Sequence, residues 1–176
     1  MTVNADLATT KAEWDRASDG IVRPEICTLA AGEAIFRFAS TRHLGRDKPT
    51  DSSTWAKGAW WVRERDYHRV LVRYQSGNLG FGTVARSALA VQPSWSLMDV
   101  SVKAYVEEDI LCYSGLGKTQ YHDVLPNGMK VTLAGWPDIT QLYLPGMRTG
   151  TLDALRIVRK KIITTDNWGH GPGAKG

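Results

Sequence analysis

From Met98 to Val106 apolar and polar side chains alternate, with Met98, Val100, Val102, Ala104 and Val106 on one face and Asp99, Ser101, Lys103 and Tyr105 on the other. This two-residue period predicts a strand with one buried face. The run from Glu33 to Ser40 has the same period, and it sets Phe36 and Phe38 against Arg37. Between Arg63 and Gln75 the period changes. Tyr67, Val70, Leu71 and Tyr74 recur at helical spacing, with Glu64 and Asp66 in front and Gly77-Asn78 behind, which predicts an amphipathic helix. A second helix is predicted over Thr83 to Val91, closed by Pro93. Further strands are predicted at Trp60 to Val62, Ile110 to Tyr113, Tyr121 to Leu125, Met129 to Ala134 and Ala154 to Ile163. A hairpin turn at Pro126-Asn127-Gly128 joins the third and fourth of these.

Gly135 to Gly146 has a turn at each end and a short apolar run between. It reads as a buried strand whose first residues, Gln141 among them, present polar groups to a cleft. The remaining segments are punctuation. Residues 1–20 are polar and read as a loosely attached leader with one or two helical turns, and Pro24 to Gly32 reads as a connector. His43 to Thr54 and Ser114 to Gln120 read as loops, and Asn167 to Gly176 as a frayed tail. The organisation expected is a leader at 1–32, one domain at 33–165 and a tail at 166–176. The fold class expected is α+β: a single domain of two packed, mostly antiparallel sheets with flanking helices.

At 176 residues the chain is long enough to bury a core without a metal or disulfide staple. Its 43% hydrophobic and 23% charged residues exclude a disordered class. No apolar run reaches bilayer length and no signal-type apolar segment opens the chain. That argues for cytoplasmic synthesis and leaves open secretion by a route that needs no signal peptide. The net charge of +4 allows an anionic partner, and Arg156, Arg159, Lys160 and Lys161 form the densest basic cluster. Cys27 and Cys112 lack CxxC spacing and read as packed thiols of a reducing compartment, with a single bridge as the alternative.

Several familiar motifs fail on their own terms. Gly115-Leu-Gly117-Lys118-Thr119 lacks the four-residue spacing of a phosphate-binding loop and the helix that must follow. His43, His68, His122 and His170 are scattered without partners at metal-ligand spacing, so no metal is expected. His122-Asp123 has no nucleophile elbow to serve. Glu107-Glu108-Asp109 reads as a solvated turn.

What remains is a constellation: Arg37 on an early strand, Ser52-Ser53-Thr54 with Trp60 and Trp61 on the next, and Gln141 at the start of a late strand. In this order the pattern resembles the mono-ADP-ribosyltransferase toxins and effectors. In that family a first-strand Arg or His holds NAD, a Ser/Thr-rich strand braces the site, and a late-strand Glu completes it. Trp55-Ala-Lys-Gly58-Ala-Trp60-Trp61, followed by a helix carrying Tyr67, is similar to the branch whose aromatic rings sandwich nicotinamide. The resemblance covers residues 33–163. It implies NAD as substrate, with Arg37 and Gln141 in the catalytic roles and Arg37, Ser53, Thr54, Trp60, Trp61 and Tyr67 holding the dinucleotide. It also implies a protein or nucleic-acid target and a cognate inhibitor protein. The departure from the family is Gln141, which has no negative charge to set against an oxocarbenium ion. Three readings stay open: Gln141 serves as it is, a carboxylate such as Asp138, Glu107 or Glu108 substitutes, or the domain binds without catalysis. The alternatives to an enzyme are a noncatalytic immunity, adaptor or anion-binding module, and a nucleic-acid binder using the Arg156 to Lys161 face.

Overall fold

The computed structural model describes residues 2–46, 48–124 and 128–166. In chain order these form α1 (Ala5–Ala8), α2 (Lys11–Gly20), β1 (Ile21–Leu29), β2 (Ala34–Ala39), β3 (Arg42–His43), β4 (Lys48–Pro49), β5 (Trp60–Arg63), α3 (Glu64–Gln75) and α4 (Phe81–Leu89). They continue with β6 (Val100–Val106), β7 (Ile110–Gly117), β8 (Gln120–Val124), β9 (Lys130–Leu133), β10 (Thr140–Tyr143) and β11 (Leu155–Ile162). No described helix is long and apolar enough to cross a membrane.

The α+β class holds. The two sheets expected from sequence are joined into one antiparallel sheet of order β1-β7-β10-β5-β2-β6-β11. The join is the short strand β5, which changes partner halfway along. Trp60 and Trp61 pair with Tyr143 and Leu142 of β10, whereas Val62 and Arg63 pair with Phe36 and Ile35 of β2. Beyond those residues the two halves of the sheet part. They then curl toward each other, because one core cluster draws Leu29, Ile110 and Cys112 from one end and Val102, Ala104 and Leu155 from the other. The alternating face of β6 is wholly buried there, and each of its valines contributes about 1.5–3 kcal/mol by leaving water. A second cluster lies beneath α3 and α4, where Phe36 and Phe38 meet Tyr67, Val70 and Phe81.

Two expectations change. The expected leader is part of the sheet and its packing over its described residues: β1 lies along β7, and α2 buries Glu13 and Ala17. The Tyr113 hydroxyl donates to the Ala8 carbonyl, which fastens α1 as well. The alternation of β1 was hidden because Arg23 at φ 49° and a register shift between Val22 and Glu25 break its period, and because Pro24 reads as a strand breaker. Secondly, Gly115 and Gly117 belong to β7, so the Gly-rich loop is strand for most of its length. The expected turn at Pro126-Asn127 and the tail from Asn167 lie outside the described residues.

Candidate functional site

A cleft of about 1180 Å³ opens where the two halves of the sheet part at β5. Arg37 enters it from β2, Trp60 from β5, and Gln141 and Tyr143 from β10. The side wall is the segment after α4, with Trp95 and Ser96 facing the space.

Arg37 sits at the fork. Its Nε donates to the carbonyl of Trp55 at 2.9 Å and its Nη1 to that of Trp60 at 3.0 Å. These bonds hold the guanidinium flat against Gly58, where an added Cβ would fall 1.8 Å from Nη2. Only glycine lets the group through. Among the described residues no carboxylate pairs with Arg37, and its withdrawal from water alone pushes its pKa down to about 10, so it stays a cation at neutral pH. Among the described residues the cleft is basic more widely, lined by Arg16, Arg42, Arg46, Lys57 and Arg148 against the single acid Asp19.

Gln141 is buried, and its Nε2 donates to the Leu89 carbonyl at 2.7 Å, at the end of α4. This contact passes over Gly117, where an added Cβ would stand 2.5 Å from Nε2. The entry to β10 is pinned to α3. The fully buried Asp66 accepts from the Thr140 hydroxyl at 2.7 Å, Arg69 donates to the Asp138 carbonyl at 2.5 Å, and Arg73 pairs with the Asp138 carboxylate at 2.8 Å while covering the Trp136 ring. Asp138 is thereby held below the usual carboxylate range by Arg73.

Trp60 and Trp61 divide as their alternation requires. Trp61 is 2% exposed and donates to the Gly58 carbonyl at 2.8 Å, which makes it core. Trp60 meets Tyr143 edge-on at 5.0 Å between centroids and keeps a surface for the cleft. Beneath them Tyr143 donates to the buried Glu13 at 2.7 Å, and Arg16 pairs with the same carboxylate. Burial and the bond to Glu13 push the Tyr143 hydroxyl well above its ordinary range.

Some sequence-predicted residues fall elsewhere. Ser52 to Thr54 form an exposed 3₁₀ turn capped by Asp51, at the end of the expected loop and not on the bracing strand that the resemblance implies. Thr54 reaches the rim of the cleft, and Ser53 is not among its lining residues. Tyr67 lies in the cluster beneath α3, stacked on Phe36 at 3.8 Å, on the face of β2 opposite to Arg37. Its position across from the cleft leaves the second aromatic wall to Trp95 and Trp55. Of the alternative carboxylates, Asp138 is taken by Arg73 and Glu107 by Arg156 at 2.9 Å, and neither these nor Glu108 line the cleft. The basic cluster lies on the exposed strand β11, where Lys160 donates to the Ser52 carbonyl at 2.8 Å.

Sequence reasoning passed over Asp19, Tyr143 and Arg86. Arg86 is 2% exposed and donates to the carbonyls of Val91, Ser96 and Leu97 at 3.1, 2.7 and 3.1 Å, so it fixes the side wall. That wall begins and ends on left-handed residues other than glycine, Ala90 at φ 51° and Met98 at φ 57°. An arginine as the one charged residue of a helical run was the available signal for Arg86.

No family model and no curated protein matches this sequence. Among solved structures, a chain from Rhs1-CT in complex with its cognate immunity protein RhsI1 is similar at a TM-score of 0.52 and 14% identity, over 88% of this chain and 96% of that one. A chain from Tne2 in complex with Tni2 aligns at a TM-score of 0.45 and 11% identity, over 82% and 95%. The first likeness is one of fold.

Proposed function

We propose that the cleft binds NAD and that the domain cleaves its nicotinamide–ribose bond, transferring ADP-ribose to a macromolecular target or to water. The observation that carries this reading is Arg37. A cation taken from water without a counter-charge is costly, and an anionic ligand would compensate it. A pyrophosphate supplies that charge and accepts bidentate bonds from a guanidinium. Trp60 offers a face for the departing ring. The basic lining beyond Arg37 supports a ligand with more than one negative charge.

The setting proposed is a toxin or effector with a protein or nucleic-acid target and a cognate inhibitor protein. Support comes from the similar chain, which belongs to a complex that contains an immunity protein. A second reading, a noncatalytic NAD- or anion-binding module, is favoured by one observation. The amide of Gln141 is committed to Leu89, and among the described residues the one carboxylate lining the cleft is Asp19.

Nicotinamide release by the purified chain, with Asp19→Asn and Gln141→Ala beside it, separates the two readings. Release by the wild type supports the enzyme, and its loss in either variant identifies the group that faces the ribose. Binding of NAD without any release supports the module.

A further inference from the structure

On the side of the sheet away from β5, Cys27 of β1 and Cys112 of β7 are direct cross-strand partners, with their Sγ atoms 3.3 Å apart. Residues paired directly across antiparallel strands have Cα atoms about 4.5–5.5 Å apart, inside the range that a disulfide spans. Bridging therefore needs side-chain rotation alone. Cys112 is fully buried while Cys27 is partly exposed, so one sulfur is accessible and the other is kept behind it. Arg63 stands over the accessible one, its Nη2 3.8 Å from Cys27 Sγ, and is itself anchored to Glu33 and the Thr28 carbonyl. The two thiols share a proton unequally. The hydrogen bond from Cys112, together with the Arg63 charge, brings Cys27 down to about 6, and that same bond with burial drives Cys112 up.

We propose that Cys27 and Cys112 are a redox-active pair that closes to a disulfide between β1 and β7, with a small-molecule disulfide such as oxidised glutathione as oxidant. The Cys27 thiolate attacks one sulfur of the oxidant, one glutathione leaves as thiolate, and a mixed disulfide forms on Cys27. Cys112 then gives its proton to solvent or to the departing thiolate, attacks Cys27 Sγ and expels the second glutathione. Two protein thiols lose two electrons and two protons, and one oxidant molecule becomes two of glutathione. The bridge encloses the chain from β1 to β7, which contains β2 and β5 of the fork, so it restricts the unfolded chain strongly. It also ties down the edge strand that follows α2, the helix that brings Arg16 and Asp19 to the cleft. The inference is independent of what the cleft binds.

The test is to expose the folded chain to oxidised glutathione and follow intact mass, alkylatable thiols and Tm. The expected result is parallel loss of both thiols, a mass lower by two hydrogens with no glutathione retained, and a Tm higher by about ten degrees, all reversed by dithiothreitol. In Cys112→Ala, glutathione should accumulate on Cys27, and in Cys27→Ser the Tm should not move. Stable glutathione on Cys27 of the wild type, or two thiols that react only after denaturation, would overturn the proposal. The wild-type result decides it even if a variant misfolds.

Discussion

Arg37 and Trp60 meet where the sheet forks: the guanidinium donates to the Trp60 carbonyl at 3.0 Å, just past the last residues through which β2 and β5 pair. A side chain thus takes a carbonyl that continued strand pairing would have used, and the parting of the strands makes room for the cleft. This places a cation at the point where both halves of the sheet contribute residues to one site.

Gly58→Ala tests that placement without touching the charge. The new methyl would fall on the guanidinium and displace it from both carbonyls. We expect NAD affinity to fall at least tenfold while far-UV circular dichroism is unchanged, since Gly58 lies outside the helices and strands.

Trp60→Ala and Trp61→Ala should separate function from stability. Trp61→Ala empties a fully buried site and should cost about 3–5 kcal/mol in urea denaturation. Trp60→Ala should cost about 1 kcal/mol of folding and weaken NAD binding about tenfold through lost stacking.

Gln141→Glu replaces the donor to the Leu89 carbonyl with an acceptor, which should destabilise the fold by about 1–3 kcal/mol at neutral pH. The glutamic acid can donate only when protonated, so its folded pKa would be raised. The deficit should then be smallest below the unfolded pKa of about 4.3 and open as pH rises. Tm against pH, compared with wild type, measures this.

Tyr143 gives the opposite end of the pH scale. Its folded pKa is raised by burial and by its bond to Glu13, so the stability it contributes is fully present below the unfolded value of about 10 and is lost as pH climbs beyond it. Tyr143→Phe should be less stable than wild type at pH 7, and the gap should narrow above pH 10.

The sequence carried the periodic elements well, because β6 and α3 bury one face each and their alternation survives any neighbour. Arg37 was legible for the same reason: a strand that sets Phe36 and Phe38 inward must point residue 37 the other way. β1 and α2 were not, since the buried face of α2 rests on Glu13 and Ala17, and a bulge interrupts β1. Ser52 to Thr54 suit either a strand edge or a turn, and the Asp51 cap, a local contact, decided for the turn. The partners that define the site are remote in the chain. Leu89 meets Gln141 and Glu13 meets Tyr143 across 52 and 130 residues, and no local pattern encodes such contacts.

If Arg37 is held ready for the phosphates of NAD, calorimetric titration of NAD must distinguish wild type from Arg37→Gln. Saturable binding by the wild type that weakens with salt is expected, and binding at least a hundredfold weaker in the variant, with Tm lowered by no more than a few degrees because a half-buried charge without a carboxylate partner has been removed. Equal affinity in the two proteins, or no binding by a folded wild type, would contradict it.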